Sequence, residues 1–250
     1  MKKLWHQLED LLRNREWHRN EESLRRIPLG PLLLTAILLA AIYGFFMGWY
    51  AVFSRPDPEY RQVLSCLWKV PMLFLATLFI CFPSLYVFST LLGSRLSFLA
   101  VLTLLLGITT ISVTVLASFG PIVAFFALST QNYHFMKLLN VLFFAVAGFF
   151  GVSSLLKALQ SLLTSLPEGP PPLPPVAAPP FVRAFEENEA TRKVNTVFRI
   201  WILIYMIVGA QMGWVLRPFL CDPNSSFAWF RKRHANFFVD VWHAVLKLFS

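Results

Sequence analysis

Charge is what this sequence has least of. Asp, Glu, Lys and Arg make up 14% of the 250 residues, where a soluble domain carries about 25%. A chain so poor in charge cannot cover a water-facing surface, which excludes a free-standing soluble fold. Cysteine is scarce as well: Cys66, Cys81 and Cys221 form no metal-binding spacing, and three thiols leave one over if two bridge. No leader peptide is evident, because residues 1–26 are too long and too charged for the start of one and a full-length apolar run follows. P-loop, GxGxxG, GxSxG and HExxH motifs are all missing, and the five histidines are scattered. The sequence therefore predicts no enzyme, no catalytic residue, no cofactor and no metal. Ionisable groups are missing from the apolar runs, which argues against an ion-coupled carrier, since such machines respond through a charge held in the membrane.

What is present is apolar. Hydrophobic residues reach 56%, aromatics 16%, and phenylalanine alone has 25 copies, a composition suited to lipid-facing surfaces and interfacial belts. Five charge-free runs follow one another: 27–54 with 28 residues, 70–94 with 25, 96–136 with 41, 138–156 with 19 and 200–216 with 17. A spanning helix takes about 20 residues. The 41-residue run is read as one long helix kinked at Gly120-Pro121, since Ser129-Thr-Gln-Asn-Tyr-His134 has the polarity of a turn. The fold class expected is an all-α integral membrane bundle of about five transmembrane helices, with amphipathic helices at both ends.

The chain divides accordingly into a cytoplasmic amphipathic helix (1–26), spans one to four (27–166), a Pro-rich linker with a charged juxtamembrane segment (167–199), span five (200–220) and a basic amphipathic tail (221–250). Leu4, Leu8, Leu11 and Leu12 recur at helical spacing in the first segment, and Phe237, Phe238, Val241, Trp242, Val245, Leu246 and Phe249 in the last. Eight prolines within 167–180 describe an extended spacer. Seven basic residues precede the first span and three occupy the next loop, so the N-terminus is expected in the cytoplasm, of a cell or inner membrane. Five crossings leave a basic split of 13 inside to nine outside; if 200–216 instead dipped in and returned, it would be 18 to four. Such a net charge of +9 points to anionic membrane lipids rather than nucleic acid.

Three groups of residues are the site candidates. Thr103, Gly107, Thr110, Thr114 and Ser118 share one face of the third span, read either as close helix packing or as the wall of a pore. Near the end of the last span, Gln211 is an amide in apolar surroundings, while Trp214 and Arg217 suit an interface anchor or a lipid contact. Cys66 and Cys221 fall beyond opposite ends of spans that would open on one oxidising side, which makes them a candidate disulfide.

Lys69-Val-Pro71 through Phe82-Pro-Ser-Leu-Tyr86, Phe119-Gly-Pro-Ile-Val-Ala-Phe-Phe126 and Gly209-x-Gln-x-Gly-Trp-x-Leu-Arg-Pro-Phe219 resemble segments of small bacterial polytopic membrane proteins. The layout is also similar in outline to the Yip family: a soluble N-terminal segment, five clustered helices and a C-terminus on the opposite side. That resemblance implies membrane organisation or trafficking. Glu21-Glu22-Ser-Leu-Arg-Arg26 and Phe230-Arg-Lys-Arg-His234 spell the EExxxR and FxxxH of CAAX-type intramembrane proteases, but both lie in charged segments outside the spans. The function expected is a non-enzymatic protein that organises a membrane or scaffolds membrane partners, self-association included. The rival expectation is an oligomeric channel or passive transporter lined by the third span.

Overall fold

The computed structural model describes residues 9, 24–25, 27–53, 60–91, 97–130, 132–164, 200–216 and 237–249. Among these residues the chain is all helix, with no strand. Helix α1 is Leu29–Gly48, α2 Tyr50–Phe53, α3 Tyr60–Leu91, α4 Phe98–Ser118, α5 Gly120–Ser129, α6 Tyr133–Thr164 and α8 Phe237–Phe249; α7 is Ile200–Leu216. Of the expected N-terminal amphipathic helix only Glu9, Leu24 and Arg25 are described, all three helical, and the Pro-rich linker lies outside the described residues.

Four helical stretches are long and apolar enough to cross a membrane: Leu29–Phe53, Tyr60–Val87, Phe98–Ser129 and Tyr133–Ala158. The protein is thus built as a multi-pass membrane bundle. Helix α7 is apolar but has only 17 described residues, about 25 Å at 1.5 Å per residue.

Local chemistry sets the boundaries. Ser97 caps α4, its hydroxyl accepting from the Ala100 N–H at 3.4 Å. The kink expected at Gly120-Pro121 falls at Phe119, where α4 ends and α5 begins; Pro121 has no N–H to carry the ladder through. The polar turn expected around 129–134 is also there. The Asn132 side chain accepts from the N–H groups of His134 and Phe135 at 3.0 and 3.1 Å and starts α6. Helix α3 begins at Tyr60, ten residues before the charge-free run, and tolerates Pro71 and Pro83 in its interior. Absence of charge marks only the hydrocarbon-embedded part of a helix, and the helix itself runs on through the interfacial layer.

Helix α4 is the central one. Its most apolar window is 72% buried, against 28–33% for the other three spans, and it touches α1, α3 and α6. The core has two layers. One holds Leu32, Cys81, Leu85, the first half of α4, Leu155, Ala158 and Trp201. The other holds Tyr43, Met47, Cys66, Val70, Leu116, Val123, Met136 and Phe143. Each helix thus gives its early residues to one layer and its late residues to the other, in alternation along the chain: successive spans are antiparallel.

Candidate functional site

In a bilayer, apolar area gives helices little reason to associate, and close backbone approach and polar contacts decide which helices meet. The nearest approach lies between α1 and α3. A Cβ on Gly44 would stand 2.5 Å from the Cys66 carbonyl oxygen, and one on Gly48 would stand 2.7 Å from the Cα of Val63. Gly44-Phe-Phe-Met-Gly48 is a GxxxG, and its two bare positions admit the α3 backbone itself. Elsewhere, the Phe46 ring fills the place of a Cβ on Gly120, bringing the kink against α1. The Ser112 hydroxyl does the same at Gly151, seating α6 against α4.

Polar contacts tie distant segments together inside this frame. The Tyr43 hydroxyl donates to the Asn140 side-chain oxygen at 2.7 Å, and the Asn140 amide donates to the Met136 carbonyl at 2.8 Å. Both residues are fully buried, and the bond joins α1 to α6. Phe144 lies edge-on to the Tyr43 ring at 5.6 Å. On the other side of the bundle the Trp201 indole N–H donates to the Ser84 hydroxyl at 2.8 Å, and the Ser84 hydroxyl in turn donates to the Cys81 carbonyl. Tyr205 stacks on the Trp201 ring at 5.6 Å and packs in the same core layer, and Gly209 lies over the Thr77 methyl. As α7 advances from Trp201 to Gly209, its contacts on α3 retreat from Ser84 to Thr77. The two helices are antiparallel.

The stripe on the third span divides with depth. Thr103, Gly107 and Thr110 are buried, Thr114 is half-buried and Ser118 is exposed beside the kink. Every hydroxyl of the stripe is held by its own helix. Thr103, Thr110 and Thr114 donate to the carbonyls four residues back, at 2.7–2.8 Å, and Ser118 to that of Val115 at 2.6 Å. Thr109 and Ser112, buried on neighbouring faces, do the same. The site candidates on α7 separate: Gln211 is half-buried and Trp214 buried, so Trp214 packs within the bundle, while Arg217 lies outside the described residues. Cys66 is fully buried in the α1–α3 contact with Gln62 donating to its sulfur at 3.5 Å. Cys221 lies outside the described residues.

The sequence reading left all three interhelical devices unassigned. Gly44 and Gly48 had a legible signal in their spacing, and Asn140 had one as the lone amide of its charge-free run. Trp201 had none, since an aromatic at the start of a span reads as an interface residue. Lys69, one of the three basic residues expected in the loop after the first span, is elsewhere. It lies in α3 and is buried, which a long aliphatic stem allows. Among the described residues no group of three His, Cys, Asp or Glu comes together to hold a metal. Two buried polar atoms, the Ser65 hydroxyl oxygen and His134 Nδ1, make no hydrogen bond. Comparison with protein-family models, curated proteins and solved structures returns no match.

Proposed function

We propose that this is a non-enzymatic membrane protein of five crossings that organises a membrane or scaffolds partners within it, with its N-terminus in the cytoplasm. The observation that carries the reading is the state of the third span. Thr103, Thr109 and Thr110 sit buried at the centre of a single chain's bundle, and their hydroxyls donate to their own backbone. A pore wall needs polar groups turned to a water-filled path; these are turned to protein. Apolar side chains such as Phe79, Phe125 and Phe149 project outward instead, as lipid or another membrane protein would require. The partners that follow are membrane lipids, anionic ones included, and membrane proteins or further copies of the chain.

What supports the fifth crossing is the direction of α7. It enters level with Ser84 of α3 and runs unbroken past Thr77, with no reversal over its 17 described residues. A re-entrant loop needs a break and a return, with protein or water around the exposed backbone. Seven basic residues before the first span, against three in the next loop, support a cytoplasmic N-terminus. The layout resembling the Yip family points to the same kind of work.

The test is solute and ion flux through liposomes carrying the purified full-length protein. Flux should equal that of empty liposomes. Flux above that level, abolished by Thr110→Leu, overturns the reading in favour of an oligomeric channel.

A further inference from the structure

Helix α8 is not amphipathic in the simple two-faced sense. Its residues divide into three sectors. On one, Ala244 is buried at 2% exposure, with Phe237, Val241 and Val245 half-buried beside it; this sector meets α6, the helix α8 packs against. The next sector carries Phe238, Trp242 and Leu246, spaced four apart on one line and 58%, 62% and 50% exposed. The third carries His243 and Lys247, also four apart and exposed. Packing on α6 thus uses only part of the apolar arc, and large aromatic and aliphatic side chains stand bare between a protein contact and a polar strip.

We propose that the Phe238–Trp242–Leu246 line is a lipid contact: α8 lies in the plane of the membrane interface, moored sideways to α6, with this line among the acyl chains and His243 and Lys247 at the headgroups. Three observations select lipid over a protein partner. The exposed line adjoins the sector packed on α6, a helix that itself bares Leu142, Phe149 and Phe150 as a lipid-facing span would. The polar strip borders the line on its other flank, so a helix lying flat can turn the line to the acyl chains and the strip to the headgroups while the Ala244 sector rests on α6. Thirteen residues make a helix of about 20 Å, too short to cross and long enough to lie flat. The charge nearby also suits anionic headgroups: the helix's Asp240 and Lys247 offset each other, and Arg231-Lys-Arg233 precede the helix in sequence.

The inference rests on the membrane-organising reading, since a helix wedged among lipids on one flank of a bundle is a means of acting on the bilayer. The experiment places a photo-activatable diazirine residue at position 242, 243 or 245 of the full-length protein, in vesicles of phosphatidylcholine with or without phosphatidylglycerol. Adducts are identified by mass spectrometry. Position 242 should give lipid acyl-chain adducts in both vesicle types, at least fivefold more than position 243, and position 245 should link to α6. A covalent dimer through position 242 overturns the proposal in favour of a second copy on this line. Equal lipid labelling at 242 and 243 overturns it as well, because α8 would then have no fixed side toward the lipid. Neither result changes the flux measurement, so failure of this inference and failure of the functional reading are separately visible.

Discussion

Replacing Gly44 by alanine tests the frame on which the bundle is built. The new Cβ would meet the Cys66 carbonyl oxygen at 2.5 Å, its carbon at 2.9 Å and the Leu67 Cα at 3.1 Å, where ordinary contact begins at 3.4 Å. All three are backbone atoms, so no rotamer change makes room, and α1 and α3 must part by about 0.9 Å. A gap of that size forfeits a quarter to a half of the dispersion energy at each contact along the interface. Overpacking of this kind costs about 1–3 kcal/mol, offset by up to ~1 kcal/mol of alanine's helix propensity over glycine. A net loss of roughly 1–2 kcal/mol is expected. Gly148 supplies the control: it is helical with nothing within 4 Å of its Cβ position, so Gly148→Ala should be neutral or stabilise by up to ~1 kcal/mol. Unfolding of the full-length protein by SDS in mixed micelles, followed by circular dichroism, gives both values. Gly44→Ala unfolding at the same SDS fraction as the unaltered protein would refute the close approach of α1 and α3.

Two further outcomes are expected, besides the flux and cross-linking results described above. Tyr43→Phe leaves the buried Asn140 oxygen without its donor and should lower stability by ~1–2 kcal/mol in the same SDS assay; a double-mutant cycle with Asn140→Leu should return a coupling of about 0.5–1.7 kcal/mol, and a coupling of zero would dismiss the bond as incidental. A topology reporter fused after Pro180 should read cytoplasmic and one fused after Ser250 external; a cytoplasmic reading at both would return the chain to four crossings.

Much of the architecture was legible because hydrocarbon is an unforgiving solvent. A charge in a spanning segment is so expensive that charge-free runs locate the spans almost directly, and all four long helices stand on those runs. The turn at Asn132 and the break before Pro121 were legible for a similar reason, since each rests on the chemistry of one residue. Contacts between helices were less legible. A stripe of threonines announces that a face is special without naming what it meets, and the meeting points at Gly44, Asn140 and Trp201 depend on which helix becomes the neighbour. The stripe stands out by its hydroxyls, yet those hydroxyls bond to their own helix; the polar side chains that join helices, Asn140 and Trp201, are single residues, and the one patterned contact, Gly44 with Gly48, carries no polar group.

The inward-turned hydroxyls bear on the order in which the molecule is made. Trp201 lies 117 residues after Ser84, an interval of roughly 6–23 s at synthesis rates of 5–20 residues per second. Through that wait the landing sites for α7 are already in the membrane. The Ser84 hydroxyl donates to the Cys81 carbonyl, and that of Thr109 to the Leu105 carbonyl, so neither needs a stand-in acceptor from lipid, water or a passing helix. Ser84 still has an oxygen lone pair to offer, and the late helix arrives carrying the donor for it, the Trp201 indole. The nascent bundle therefore waits in a state that is hydrogen-bonded and specific at once, open to a partner that brings a proton and indifferent to one that needs to receive it.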